Sequence, residues 1–153
     1  MFLVNLKNME ERKAFCNLAV AIINIDGKQE TEEIIYLQNA IKEMIINNDI
    51  AYDDIEVFSN ELLGYVSKEK LNQEDIDRNL AIFFPASNLI KKTVLFELIT
   101  LSNIDLELAK SEKKMIDYVA EKLGFSNKLV TEMQSAVTSL NDAFINAEKL
   151  VQD

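Results

Sequence analysis

Two stretches of the chain, "NIDGKQETEE" (Asn24–Glu33) and "NIDLELAKSE" (Asn103–Glu112), decide the fold class. Each begins with Asn-Ile-Asp and carries a glutamate seven residues after the aspartate. The aspartates, Asp26 and Asp105, are 79 residues apart (105 − 26), and the two glutamates have the same separation. The equal spacing predicts one structural unit that is used twice.

The segments on either side of the first stretch have the apolar spacing of helices. Before it, apolar residues recur at i, i+3, i+4, i+7 and i+8: Phe15, Leu18, Ala19, Ile22 and Ile23. After Thr31 the same period continues from Ile34 to Ile45. Asn8 and Glu11 have the spacing of a capping box, which predicts where the first helix begins. The first stretch is therefore predicted to be the loop of a helix-loop-helix.

The second stretch follows a segment that is apolar almost all round, from Val94 to Leu101. This pattern is typical of a buried central helix. Ser87 has the position of its N-cap, and Pro85 must end the helix expected from Asn72, because proline disfavours helix at the residue before it. Glu97 lies inside the apolar segment. We expect it to lie between the two halves and to be hydrogen-bonded or salt-bridged, because an unpaired buried carboxylate is costly.

Two more helices are predicted after the second stretch. The first has an apolar stripe, closed by Gly124 at the C′ position: Met115, Ile116, Val119, Ala120 and Leu123. Ser126 is expected to begin the last helix. The helical period predicts its inward-facing residues: Met133, Val137, Leu140, Phe144 and Ala147.

No segment of any length has the period of a strand, so the predicted class is all-α. We expect a single-domain helical bundle of about six to seven helices over residues 1–153. Its first half-repeat covers about 8–47 and its second about 87–151. The region between them, 48–86, is predicted to be a variable connection with one or two short helices before the helix that follows Asn72.

The composition indicates which classes of partner the chain can bind and in which cellular compartment it is expected. The formal net charge is −10, which repels phosphate backbones and argues against nucleic acid. The longest apolar run, Leu18–Ile23, is far below the ~18 residues needed to span a bilayer, so no membrane insertion is expected. The single cysteine, Cys16, is expected to be a buried hydrophobe. A reduced, cytoplasmic chain is predicted.

The residue types disfavour an enzyme. The chain has no histidine, which removes Ser-His and Cys-His nucleophiles and imidazole metal sites. Its three glycines are too widely spaced for a phosphate-binding loop. A hydrolase with paired carboxylates is the enzymatic alternative, but it needs a carboxyl group with a raised pKa in a cleft. We therefore predict a non-enzymatic protein without catalytic residues.

The candidate site consists of the four carboxylates at matching positions in the two stretches: Asp26, Glu33, Asp105 and Glu112. Each loop brings an aspartate and a glutamate near a helix N-terminus, where free N–H groups and the helix dipole favour negative charge. One interpretation is that the carboxylates only brace loops and cap helices. The other is that the two loops face each other and hold a cation. Without imidazole, the oxygen ligands select Ca²⁺, Mg²⁺ or Mn²⁺.

An EF-hand is a poor description of these loops. In the first copy, four residues fall on its third, fifth, sixth and twelfth positions: Asn24, Asp26, Gly27 and Glu33. The first position, which needs a carboxylate, is Ile22 in one copy and Leu101 in the other. The turn glycine becomes Leu106 in the second copy. High-affinity calcium binding of the EF-hand type is therefore not expected.

The phrase "NLAVAIINIDGKQETEEIIYLQNAIKEM" and its echo "LFELITLSNIDLELAKSEKKMIDYVAEKLGF" resemble the tellurite-resistance TerB-like family. The signature of that family is an apolar helix that leads into Asp-Gly and then a Glu at the start of the next helix. The likeness covers Lys7–Met44 and Ile90–Ala147. The positions that match are Asp26, Gly27 and Glu33 in the first half and Asp105 and Glu112 in the second, where Leu106 replaces the glycine.

The resemblance implies a helical bundle whose halves are related by a pseudo-twofold axis. It also implies a metal or partner site at the acidic residues and an association with metal-ion or stress responses. The leading hypothesis is thus a cytoplasmic, non-enzymatic TerB-like module that binds a divalent cation or a protein partner through its acidic loops. The alternative is a structural or adaptor domain whose carboxylates only cap helices.

Overall fold

The computed structural model describes residues 2–25, 31–46, 72–104 and 110–152, with the backbone alone described at 45 and 46. These residues form α-helices and one short 3₁₀ helix, with no strand among them. The all-α class predicted from the sequence is confirmed. After the 3₁₀ helix Leu3–Asn5, the helices are α1 Met9–Ile23, α2 Thr31–Ile46, α3 Gln73–Ala81, α4 Asn88–Ser102, α5 Lys110–Lys122 and α6 Asn127–Gln152.

The helix boundaries repeat with the same 79-residue spacing as the two similar stretches of sequence. The first residues of α1 and α4 are 79 positions apart (88 − 9), as are their last residues (102 − 23). The starts of α2 and α5 have the same separation (110 − 31). The two pairs of helices therefore share one register along the chain. A pseudo-twofold relation between them in space stays a prediction.

Side-chain caps fix the starts of four helices, and the last of them is α6, where the Leu129 N–H donates to the Ser126 hydroxyl oxygen at 3.3 Å, as predicted. The Asn8 side chain accepts a hydrogen bond from the Glu11 N–H at 2.8 Å before α1. Asn72 does the same for the Asp75 N–H at 2.8 Å before α3, and Ser87 accepts from a backbone N–H in the first turn of α4. Each cap satisfies one of the N–H groups that a helix start leaves without an intrahelical partner.

The core surrounds α1 and α4, which contact each other. α1 also contacts α2 and α3, while α4 also contacts α5 and α6. Between Val94 and Leu101 of α4, every apolar residue except the partly buried Phe96 is buried. α1 is buried on more faces than its stripe alone indicates. Burial of a leucine or isoleucine side chain stabilises a fold by about 1.5–3 kcal/mol. The two first helices of the repeat therefore form the centre of the bundle.

α3 ends earlier than the sequence predicts. The helix ends at Ala81, and the chain continues through turns in which the Phe83 N–H donates to the Leu80 carbonyl at 3.0 Å. The Ala86 N–H then donates to the Phe83 carbonyl at 3.0 Å. Pro85 restricts the residue before it, so the chain leaves the helix before reaching the proline.

α5 ends at a glycine, as predicted. Gly124 has φ = 85°, a left-handed conformation that costs other residues energy. The Phe125 N–H donates to the Ala120 carbonyl at 2.8 Å, and the Gly124 N–H donates to the Glu121 carbonyl at 3.0 Å. These two bonds form a Schellman motif, and they turn the chain sharply into α6.

One sequence prediction falls mostly on residues that the structure does not describe. Most of the predicted connection, residues 48–71, lies outside the described residues. Within the described residues, no helix combines the length and the apolarity needed to cross a membrane.

Candidate functional site

The two echoed glutamates have equivalent positions. Glu33 is the third residue of α2 and Glu112 the third residue of α5. Both side chains are buried, with 3% exposure each. Their partners in the proposed site, Asp26 and Asp105, lie outside the described residues, so the convergence of the four carboxylates stays a prediction.

The positions of these glutamates suit helix capping. The third helical residue is the glutamate position of a capping box, where a carboxylate approaches backbone N–H groups at the helix start. Neither glutamate is without an interaction partner. Across the ranges 2–25, 31–44, 72–104 and 110–152, no group of three or more potential metal-ligating side chains is found. The arrangement of Glu33 and Glu112 is thus compatible with a cap in each half.

Glu97 is the most deeply placed carboxylate among the described residues, at 1% exposure. The Phe2 backbone N–H donates to its Oε1 at 2.6 Å, and the Tyr36 hydroxyl donates to its Oε2 at 2.5 Å. The carboxylate therefore connects α4 with α2 and with the N-terminal segment. The prediction that Glu97 is buried between the halves and hydrogen-bonded is confirmed.

The same contacts set the ionisation of Tyr36. Burial, and then the charge and hydrogen bond of Glu97, raise the pKa of Tyr36 well above its ordinary value. A neutral tyrosine is the form that can donate to the carboxylate. The pair is a structural element of the core.

Arg12 is a buried cation that no pattern in the sequence indicates. Its Nε donates to the Leu6 carbonyl at 2.9 Å, and its Nη2 donates to the Lys7 carbonyl at 2.8 Å. Burial lowers its pKa, and the neighbouring Glu11 charge opposes that shift. These bonds hold the N-terminal segment against α1, so Arg12 has a structural role.

Cys16 is fully buried, as predicted. Burial raises the pKa of its thiol. The thiolate, which is the reactive form of cysteine, is therefore disfavoured in the folded protein. This side chain is a core residue without the properties of a nucleophile.

A cleft of about 450 Å³ lies between α1, α3 and α5. It has an apolar wall and a polar rim: Ala21, Ile25, Ile76, Met115, Gln73, Ser111, Lys114 and Tyr118. At the rim, the Tyr118 hydroxyl and the Gln73 amide donate to the Asp77 carboxylate. These two bonds, that of Tyr118 first, lower the pKa of Asp77. A general acid needs the opposite shift, so this carboxylate does not suit the hydrolase alternative.

The second half of α6 differs from the prediction. Val137 is buried, and Met133 packs against the core as expected. Leu140, Phe144 and Ala147 were predicted to face inward, and this is wrong. Leu140 is 45% exposed and Phe144 67% exposed, and Ala147 is also exposed.

Helix length explains the difference. α6 has 26 residues and is about 39 Å long, whereas α4, against which it packs, has 15 residues and is about 22 Å long. The Asn141 side chain donates to the Asn103 carbonyl at 3.4 Å, where α4 has just ended. The later turns extend past the core. The apolar period indicates which residues share a face, but it does not indicate where the neighbouring helix ends.

This extension leaves an exposed apolar surface. We call it the tail face; it comprises Leu140, Ala143, Phe144, Ala147, Leu150 and Val151, all of which are exposed. Leu150 and Val151 are 80% and 87% exposed. The signal that could have identified it in the sequence is the combination of a long apolar period with a helix longer than its neighbours.

Comparisons of this chain with protein-family models, with curated proteins and with solved structures find no match.

Proposed function

We propose that this chain is a non-enzymatic interaction module with a TerB-like fold, and that it binds another protein chain through the tail face. The observation that carries the proposal is the exposure of six apolar side chains on one side of the last helix. Contiguous exposed apolar surface of this kind is typical of protein interaction sites. An amphipathic helix can present such a face to a groove or to another helix.

The tail face adds little to the stability of the folded chain. Phe144 and Leu150 remain largely exposed and contribute little to the core. Leaving them in water forgoes the roughly 1.5–3 kcal/mol that burial of each side chain provides. A bound partner would recover this energy. The position of the tail at the end of the bundle gives a partner access without any opening of the core.

Site-specific photo-crosslinking tests the proposal. A benzophenone amino acid replaces Phe144 in one variant and Lys149, on the opposite side of α6, in the control. The purified protein and an extract of its source cells are irradiated separately. We expect a specific covalent adduct from position 144 and none from position 149. Absence of an adduct from position 144 in both samples would contradict the proposal.

The echoed carboxylates supply a second candidate function, the binding of a divalent cation or a basic partner. The equivalent, buried placement of Glu33 and Glu112 at two helix starts favours it, because both halves present a carboxylate in the same way. The resemblance to TerB-like proteins points to the same residues. Thermal melting with divalent cations tests it.

A further inference from the structure

We propose that the occupant of the tail face is a second copy of this chain, and that the two tails pair as antiparallel helices about a twofold axis. The inference rests on the proposed function of the tail face. It adds the identity of the partner and the geometry of the contact.

The spacing of the apolar residues supports helix pairing. Along α6, apolar residues alternate at steps of three and four: Val130, Met133, Val137, Leu140, Phe144, Ala147 and Val151. A strict seven-residue repeat keeps one seam facing a partner helix over many turns. The bundle itself occupies this seam as far as Val137. The rest of the seam has the pattern of a helix that pairs with another helix.

Side-chain sizes favour the antiparallel register. If Phe144 lies opposite Ala147 of the second copy, then Leu140 lies opposite Val151, because both pairs have the same position sum (144 + 147 = 140 + 151). The largest side chain then faces the smallest, and the twofold axis repeats each pair. Large residues opposite small ones interdigitate well. A parallel pair would place Phe144 against Phe144 and Ala147 against Ala147.

The position of the bundle relative to the tail also favours an antiparallel arrangement of the two tails. The seam faces the bundle at Val130 and Val137 and continues in nearly the same direction along the tail, with a drift of about 20° per seven residues. A parallel second helix on this seam would run into the space that the first copy's own bundle fills. An antiparallel tail avoids that space, because its own bundle then lies on the Gln152 side of the first copy's tail and not on the Val130 side.

Charge makes the tail the favourable place for self-association. The whole chain carries a net charge of −10, so two copies repel each other over most of their surfaces. Residues 139–152 contain Asp142, Glu148 and Lys149 as their charged residues, a net charge of −1. Two copies can therefore approach along this segment at a small electrostatic cost.

The size of the face predicts a weak dimer. With an aromatic side chain presenting about 150–250 Å², the tail face offers roughly 500 Å² per copy. Stable interfaces bury about 800 Å² per partner, and transient ones bury less. We therefore expect dissociation in the micromolar range, with monomer and dimer both present at ordinary laboratory concentrations.

Sedimentation equilibrium of the full chain, from about 1 µM to about 500 µM, tests this. We expect the mass to rise from 17.5 kDa toward twice that value (2 × 17.5 kDa). Phe144→Glu should raise the dissociation constant roughly a hundredfold, as for a central interface residue. Thr138→Glu adds the same charge at an exposed position on the opposite side of α6 and should leave the dissociation constant unchanged. Far-UV circular dichroism confirms that both variants are folded.

A monomeric wild type at every concentration would overturn the proposal, as would an equal effect of the two variants. Disulfide formation between copies then tests the orientation. A Leu140→Cys copy mixed with a Val151→Cys copy should form mixed disulfides faster than either forms with itself. Preferential self-pairing of each variant would overturn the antiparallel geometry. A monomeric wild type that still forms an adduct from position 144 with a different protein would refute the second copy and leave the proposed function standing.

Discussion

At the scale of single residues, the buried carboxylate of Glu97 joins α4 to α2 and to the N-terminal segment. Glu97 could be placed inside the bundle because apolar residues surround it in the chain. Its donors come from 61 and 95 positions away, Tyr36 and Phe2. Such pairs depend on how α2 and the N-terminal segment pack, which no local pattern encodes. The burial of Arg12 was not predicted, because its hydrogen-bond acceptors are backbone carbonyl groups, which the residue types in the sequence do not reveal.

Tyr36→Phe should destabilise the protein by about 1–3 kcal/mol, because it removes a donor from a buried carboxylate. Urea unfolding at neutral pH measures the change. Tyr118→Phe is the matched control. It also removes a tyrosine–carboxylate hydrogen bond, but at an exposed site, and should cost much less. Equal losses from the two variants would show that the buried pair has no special role.

The same variant should change the alkaline limb of the stability profile. Because the pKa of Tyr36 is raised in the folded state, its stabilising contribution is complete below the unfolded pKa of about 10. The contribution is lost as pH rises from there through the folded pKa. Tyr36→Phe should therefore show a shallower loss of stability above pH 10 than the wild type. Parallel alkaline limbs would contradict this assignment.

At the scale of secondary-structure elements, caps and turns were the most predictable features. Asn8, Asn72, Ser87 and Gly124 act where the sequence places them, because each satisfies backbone groups within a few residues of itself. α6 shows the limit of this reasoning. Its period identified one apolar stripe correctly, but the division of that stripe into a buried and an exposed part depends on the length of the neighbouring helix.

Because α6 has a buried part and an exposed part, alanine substitutions in the two parts should lower the free energy of unfolding by different amounts. Val137→Ala should reduce the free energy of unfolding by roughly 1–3 kcal/mol, because Val137 is buried. Phe144→Ala removes a larger side chain, but from an exposed position, and should cost less than about 0.5 kcal/mol. Both are measured by urea unfolding at low micromolar concentration, where the monomer dominates. A larger loss from Phe144→Ala would mean that the tail packs on its own bundle.

At the scale of the whole molecule, the two similar stretches predicted a repeated unit, and the helix starts in the described residues have the same 79-residue spacing (88 − 9 and 110 − 31). The relative orientation of the two units could not be predicted, because the spacing of residues along the chain does not determine the angles between helices. For the candidate site, the sequence predicted which residues belong to it but not their arrangement in space. Glu33 and Glu112 occupy equivalent positions, and the geometry that would distinguish a cation site from two caps involves Asp26 and Asp105, outside the described residues.

Thermal melts with Ca²⁺, Mg²⁺ and Mn²⁺ test the cation hypothesis. If the four carboxylates converge, an ion at a hundredfold excess over its dissociation constant should stabilise the wild type by about 2.7 kcal/mol. The incomplete ligand set predicts weak binding, with a dissociation constant of about 10⁻⁴–10⁻³ M. The double variant Glu33→Gln, Glu112→Gln should lose this response. If no ion raises the wild-type midpoint beyond its effect on the variant, the carboxylates are caps.

Hydrogen exchange along α6 tests the central claim, that the end of this helix is a binding surface and not part of the bundle. Unsupported helical segments shorter than about 12–15 residues are marginally stable in water. In dilute protein, the backbone amides of Asp142–Gln152 should therefore exchange much faster than those of Val130–Val137. At high concentration the protection of the tail should rise, while that of Val130–Val137 stays constant. Strong tail protection that is independent of concentration, and unchanged by Phe144→Glu, would contradict the account.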